Sequence, residues 1–222
     1  RQRRLREGFE TIADGGTVID AQVQAGFESA SAFRVAFARL LGRAPGKLKS
    51  DGMLLADWVP TPLGDMVLVA SRLHLHLLEF IGRKALRTEL AALETQTKST
   101  IGVGRTDPGE GLKAELAAYF AGTSATFSTP LALAGTPFSR SVWHELMQIP
   151  AGETRSYSDI AQAIGKPSAT RAVARANGAN QLALIVPCHR VIGADGSLTG
   201  YGGGLWRKQK LLEIERQYRP MP

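Results

Sequence analysis

Apolar positions between residues 1 and 50 recur at intervals of three and four, the period of a helix buried on one face. Val18, Gln22 and Val23 sit on one short amphipathic helix that Gly26 ends. Ser29 or Ser31 caps the next helix, in which Phe33, Phe37, Leu40 and Leu41 stand at i, i+4, i+7 and i+8 and form a core-facing stripe. Arg34 and Arg39 lie off the stripe, and Gly42 and Pro45 stop the helix. Two short helices around a glycine-containing turn, the second of them basic, describe a helix-turn-helix.

The period then shortens. Runs at 54–58, 66–70 and 73–80 predict strands, with Pro62-Leu63-Gly64 as the turn between the first two. Helical spacing returns at 83–95 and 109–120, and a weakly apolar stretch at 127–133 leads to Gly135-Thr136-Pro137. This part predicts a small α/β unit with a scaffold role. From residue 136 onward the pattern is helical again. A helix over 138–148 buries Val142 and Leu146, with Ile149 just beyond it, and Pro150-x-Gly152 makes a turn. Ser156-x-x-Asp159 is a capping box that opens a helix closed by Gly165; Pro167 and Ser168 start another that runs to about residue 177. This is a second helix-turn-helix. Arg171 and Arg175 are one turn apart on its second helix, beside the small Ala172, Val173 and Ala176. A slim helix with two arginines suits close approach to a DNA groove, the plainer alternative being a solvated basic face.

Composition narrows the partners. No apolar run reaches the ~18 residues of a membrane span, and 44% apolar with 21% charged residues is ordinary for a globular protein. The net charge of +7 makes a polyanion a candidate partner, because Lys and Arg set against phosphates release counterions, with a merely basic globular protein as the equal alternative. The chain opens on Arg1-Gln2-Arg3-Arg4 with no apolar leader and no initiator Met, so native sequence is expected upstream. One cysteine, Cys188, excludes a disulfide within the chain and a zinc site of several thiolates, and points to the reducing cytosol. His74 and His76 share a strand face with no third ligand near and are read as ordinary strand side chains.

That cysteine carries the chemistry. An apolar run, Leu184-Ile185-Val186, read as a buried strand or a turn of extended chain, leads into Pro187-Cys188-His189-Arg190-Val191-Ile192. A lone cysteine in an apolar segment is usually inert core. Here a histidine is adjacent, an arginine follows, and glycines crowd the next segment at 193, 196, 200, 202, 203 and 204. A thiol needs a base and positive surroundings to ionise, and glycines let backbone close around a flat ligand. On the last helix Leu205, Lys208, Leu211, Leu212 and Glu215 share a face. An acid on an apolar face needs a partner, and His189 is the candidate; Glu213 points elsewhere. Cys188, His189 and Glu215 would then be nucleophile, base and orienter, with a surface-exposed Glu215 as the alternative.

Two resemblances extend this. Gly26-Phe27-x-Ser29-x-Ser31-x-Phe33-x-x-x-Phe37 followed by Gly42-x-x-Pro45 resembles the second helix-turn-helix of AraC-type regulators, departing at Val35 where that family often has Arg. Ile149-Pro150-x-Gly152-x-Thr154-x-Ser156-Tyr157, Arg171-Ala172-Val173-Ala174, Asn180, Pro187-Cys188-His189-Arg190-Val191-Ile192-Gly193 and Gly200-Tyr201-x-Gly203 resemble the methylated-DNA–protein-cysteine methyltransferases, or O6-alkylguanine-DNA alkyltransferases. That similarity continues upstream through Pro62-Leu63-Gly64, Tyr119-Phe120-x-Gly122 and Gly135-Thr136-Pro137-Phe138, so it covers about 54–216. Together the two resemble Ada-type bifunctional proteins. The implied fold class is α/β plus α: a partial AraC-type segment at 1–50, a small ribonuclease-H-like α/β domain at 51–135, and a winged-helix-like helical alkyltransferase domain at 136–222.

The resemblance implies repair by direct reversal, with irreversible transfer of an alkyl group from O6-alkylguanine, and O4-methylthymine, to Cys188. His189 takes the thiol proton through a water, Glu215 orients His189, and Asn180 braces the active-site turn. Tyr157 hydrogen-bonds the flipped base, and Arg171 fills the space it leaves. Arg175, Arg190, Ser168, Thr170 and Ala172 join Arg171 and Tyr157 on DNA. Leu198, Gly200, Tyr201, Gly202, Gly203 and Val191 line the base pocket, with Lys208 on the helix behind it. The sequence departs from the family at Ser139, usually Gln, at Asn180-Gln181, commonly Asn-Pro, and at Gly202, where some members have Ser. The expected partner is double-stranded DNA containing O6-alkylguanine, with no membrane, and the protein is expected to be a monomer in the cytoplasm, associated with the nucleoid. No cofactor and no metal is implied; the zinc of an Ada-type protein would belong to an upstream domain. Competing readings are a lesion sensor without transfer and a cysteine hydrolase built on Cys188, His189 and Glu215.

Overall fold

The computed structural model describes residues 2–42, 44, 45 and 53–218. The chain forms two compact units, Arg1–Lys113 with Thr129–Ala132, and Ala114–Ser128 with Leu133–Pro222.

The first unit opens with three helices, α1 (Gln2–Ala13), α2 (Val18–Gln24) and α3 (Ala30–Leu41). Thr17 and Asp20 form a capping box at α2. Ser29, and not Ser31, caps α3 by accepting from the Ala32 N–H. Gly42 ends α3 at φ +77°, a left-handed conformation that a side chain would strain. The Phe33, Phe37, Leu40 and Leu41 stripe is buried, and Arg34 and Arg39 are exposed. On α2 Ala21 is buried, whereas Val23 is 68% exposed.

A four-stranded sheet follows, in the order β3-β2-β1-β4. Strands β1 (Leu54–Val59), β2 (Met66–Ala70) and β3 (Leu75–Phe80) are antiparallel neighbours, and β4 (Ile101–Val103) runs parallel to β1. The Thr61 hydroxyl donates to the Gly64 carbonyl and tightens the first turn. Residues 73 and 74 lie outside β3: a turn bonds Ser71 to His74, so His74 does not share the strand with His76. The 127–133 stretch makes one parallel bridge, Leu131 to Leu75. Helix α4 (Leu86–Thr97) joins β3 to β4, and α5 (Asp107–Ala121) contains the boundary between the units. Val67 and Val69 share a core with α1, α3 and α4, so the described part of residues 1–50 is packed with the sheet. Phe9 marks that junction, with ring centroids 5.7 Å from both Phe37 and Trp58.

The second unit contains the end of α5, α6 (Pro137–Met147), α7 (Tyr157–Ala163), α8 (Thr170–Gly178) and α9 (Leu205–Glu215). A two-stranded parallel pair, β5 (Arg155–Ser156) with β6 (Val191–Ile192), ties the approach to α7 to the segment after Cys188. Val142, Leu146 and Ile149 are buried as expected, and Ser156 with Asp159 forms the capping box. The Trp143 indole donates to the Ala176 carbonyl at 2.8 Å and fixes α8 against α6. A 3-10 turn, Pro167–Ala169, precedes α8. Of the two readings of the 184–186 run the turn holds and the strand does not: Leu184 is at φ +71° and the Val186 N–H donates to the Leu182 carbonyl.

Candidate active site

Cys188 begins a 3-10 turn that ends at Arg190. Pro187 sits at φ −81°, ψ 61°, and the Cys188 N–H donates back to the Val186 carbonyl at 2.7 Å. This is an inverse γ-turn, and the proline ring fixes its φ. Asn180 braces it from the other side. Its amide donates to the Val186 carbonyl (2.8 Å) and to the Cys188 sulfur (3.2 Å), and its oxygen accepts from the Leu182 N–H (2.9 Å). Asn177 reaches the Cys188 carbonyl at 3.4 Å.

Glu215 is completely buried at the end of α9 and gathers five donors. Oε1 accepts from the Tyr119 hydroxyl, His189 Nε2 and Arg190 Nη2, each at 2.8 Å. Oε2 accepts from Arg190 Nε at 2.8 Å and from the Gly152 N–H at 3.3 Å. Burial pushes the carboxyl upward, but the charges and hydrogen bonds of His189 and Arg190 outweigh it and hold Glu215 well below the usual carboxylate range. An ionised Glu215 requires a proton on His189 Nε2. The Nδ1 lone pair is then left as the basic position; that atom is buried and has no hydrogen-bond partner among the described residues. Burial lowers the His189 pKa, Glu215 raises it, and Arg190 and Lys208 lower it further, so the ring rests neutral. Burial followed by Glu215 pushes the Tyr119 hydroxyl upward, keeping it a proton donor.

Arg190, expected on DNA, lies elsewhere. It is buried, bidentate to Glu215, and bonded through Nη1 to the Ile149 carbonyl. A guanidinium two residues after Cys188 on a tight turn is carried inward with His189. Leu205 also departs from its expected face: it is 47% exposed, while Lys208, Leu211 and Glu215 are buried.

A cleft with about 440 Å³ of space lies beside this network, lined by Tyr157, Ala174, Asn177, Gly178, Thr199, Gly200, Tyr201 and Gly202. Three expected pocket residues, Gly200, Tyr201 and Gly202, are in its wall. The other three are not: Leu198 is partly exposed, Gly203 is buried, and Val191 is buried with its carbonyl on Lys208. Sequence reasoning missed Ala174, Asn177 and Gly178, which α8 contributes. An added Cβ at Gly178 or Gly200 would meet nothing within 4 Å, so the protein's own packing does not demand glycine there. Thr199 donates to the Tyr157 hydroxyl oxygen at 3.1 Å, leaving the tyrosine's own proton free to donate into the cleft. On α8, Arg171 and Arg175 are exposed one turn apart, Ser168 is exposed in the preceding turn, and Thr170 and Ala172 are half-buried.

Residues 137–217 match the family model described as 6-O-methylguanine DNA methyltransferase, DNA binding domain. A methylated-DNA–protein-cysteine methyltransferase of Mycolicibacterium paratuberculosis is 50% identical over 147 residues, 65% of this chain and 88% of that protein. One from Salmonella typhimurium is 42% identical over 164 residues, 73% of this chain and 95% of that protein. The chain belongs to the methylated-DNA–protein-cysteine methyltransferases. Among solved members, the Mycobacterium tuberculosis O6-methylguanine methyltransferase superposes with a TM-score of 0.65 at 41% identity, covering 77% of this chain and 97% of that one. The M. tuberculosis OGT crystallised in complex with DNA gives 0.64 at 42% identity, covering 74% and 94%. The mixed α/β fold of this methyltransferase matches theirs. No helix among the described residues is long and apolar enough to cross a membrane.

Proposed function

We propose that Cys188 is the methyl acceptor of this protein, attacking the alkyl carbon on O6 of a guanine held in the cleft. As a methylated-DNA–protein-cysteine methyltransferase, the protein repairs DNA by moving a methyl group from damaged DNA onto a cysteine, and Cys188 is the single cysteine of the chain. The observation that carries the reading is the continuous path from the sulfur: Asn180 on Sγ, His189 next in the chain, and Glu215 behind His189. His189 Nδ1 draws off the thiol proton through a bridging water. The C–O bond breaks as the S–C bond forms, and the guanine anion takes a proton, with the Tyr157 hydroxyl as donor. The product is a thioether with no acidic leaving group, so one chain repairs one lesion.

The substrate is double-stranded DNA containing O6-alkylguanine. The target base must leave the stack, at a cost of a few kcal/mol. Tyr157–Ala163 and Thr170–Gly178 act as a helix-turn-helix within a winged-helix-like domain. Its second helix presents Arg171 to the vacated space and Arg175 to phosphate. The α/β part is read as ribonuclease-H-like. The protein works as a monomer in the cytoplasm at the nucleoid and uses no cofactor. Mass spectrometry after mixing with methylated duplex tests this reading. The expected result is one added methyl on the Cys188 peptide and restored guanine. Unmodified protein on an unrepaired lesion indicates a sensor instead, and continuing turnover of acyl substrates a hydrolase.

The α2–α3 pair is read as half of an AraC-type DNA-binding module, making the layout Ada-like with a transcription-regulator segment. The motif from Gly26 to Pro45 supports this, as does the exposure of Arg34 and Arg39 opposite a buried stripe. A double substitution, Arg34→Ala with Arg39→Ala, is expected to weaken binding to undamaged duplex severalfold and flatten its salt dependence by about two ions. Methyl transfer should be untouched. Unchanged binding and salt slope would remove the DNA-binding role from this segment.

A further inference from the structure

We propose that Lys208 is the fixed counter-ion of the Cys188 thiolate, a positioning residue that keeps the sulfur ionised and ties the cleft wall to it. The proposal rests on Cys188 being the methyl acceptor.

The Lys208 side chain is wholly buried on α9. An ammonium taken out of water needs an opposite charge as well as hydrogen bonds. Its Nζ donates to the Val191 carbonyl and, at 2.8 Å, to the Thr199 carbonyl. Both acceptors are neutral, and no carboxylate lies within ion-pair distance of Nζ among the described residues. Glu215, two turns along the same helix, is already matched by the bidentate Arg190. Arg207 and Lys210 on α9 are of like sign and are committed to the Gly203 carbonyl and to Glu213. His189, on the 3-10 turn packed against α9, is held neutral by burial. The buried site thus contains two cations, Arg190 and Lys208, and one anion, Glu215. Its charge closes when Cys188 is a thiolate and His189 is neutral, the proton that Nδ1 draws off through the bridging water having passed on to solvent. Lys208 is lowered to about 8, with burial pulling it down and Cys188, when charged, pushing it up. The same ammonium holds Val191, just past the nucleophile's turn, and Thr199, in the cleft wall. Ionisation of the sulfur and closure of the wall are thereby coupled through one side chain.

Because the chain has one cysteine, the ultraviolet absorbance of the thiolate reports Cys188 alone, with Cys188→Ser as the blank. In Lys208→Met and Lys208→Gln the thiolate titration midpoint is expected to rise by about one unit or more. Alkylation by iodoacetamide and methyl transfer near pH 7 should both slow about tenfold and recover at alkaline pH, and Lys208→Arg should keep a low midpoint. An unmoved midpoint in a folded variant, or a rate lost equally at every pH, overturns the proposal by reducing Lys208 to a packing role. If neither variant folds, nuclear magnetic resonance of the lysine ammonium groups decides on folded proteins. The Lys208 titration should move down in Cys188→Ser relative to the native chain, and an identical titration in both overturns the proposal. The thiolate titration uses no DNA, so its failure leaves transfer onto Cys188 standing. A normal thiolate that takes no methyl from damaged duplex would instead remove the functional reading.

Discussion

Replacing Cys188 by serine will give a folded protein that still binds methylated duplex and takes no methyl from it. Serine preserves the packing, since its oxygen can accept the Asn180 amide that the sulfur accepts at 3.2 Å. It does not preserve the chemistry. A hydroxyl beside a neutral imidazole stays protonated and attacks an alkyl carbon poorly, whereas a thiolate is both ionised and soft. Transfer should fall by at least about 10⁴-fold, the scale set by removing an enzyme's nucleophile. With radiolabelled methyl in the duplex, the native chain should saturate at one label per molecule, and Cys188→Ser should leave all label in the DNA. Label on the serine variant at native stoichiometry would place the acceptor elsewhere.

The second large effect belongs to Glu215→Gln. The amide has nearly the shape of the carboxylate, but its nitrogen brings two donors into a pocket that already supplies five, and it removes the charge opposite Arg190. Leaving one partner of a buried pair uncompensated costs about 3–5 kcal/mol, measurable as a lower denaturant midpoint. Methyl transfer should drop about 10²–10⁴-fold, because the variant no longer fixes the His189 tautomer. The acid limb identifies the cause. The folded pKa of Glu215 lies below its unfolded value, so its contribution is fully present above the unfolded pKa of about 4.3 and is lost as pH falls from there toward the folded value. The stability gap between native and Glu215→Gln proteins should therefore be constant near neutrality and narrow below about pH 4. A gap that stays constant down to pH 2 would show that the charge is not what Glu215 contributes.

Local chemistry made much of this site legible in the sequence. The Ser156 capping box, the α3 stripe and the Pro187–Arg190 motif each lie within a dozen residues, where period and turn chemistry govern. What escaped is non-local or ambiguous by type. Tyr119 meets Glu215 across 96 positions, and no spacing rule connects them. The resemblance puts Arg190 on DNA, and only the direction of the 3-10 turn shows that it faces inward. Strand β4 is three residues with a glycine at its centre, too short for alternation to register, and is recruited by β1. The run at 184–186 is as apolar as a strand, and its pattern does not separate a strand from the turn that the chain adopts there, with Leu184 at φ +71°.

The order in which these groups leave the ribosome gives the carboxylate at 215 a role in timing. Cys188 and His189 are translated before it, and Tyr119 and Gly152 are earlier still, 96 and 63 positions back. A nascent chain that has reached the sulfur but not the last helix has neither the anion that sets the imidazole's tautomer nor the ammonium at 208. Such a chain carries a thiol without the means to activate it. On the proposed chemistry, in which one chain takes one methyl, the sulfur stays guarded from stray electrophiles until the helix that carries positions 208 and 215 has been made and folded.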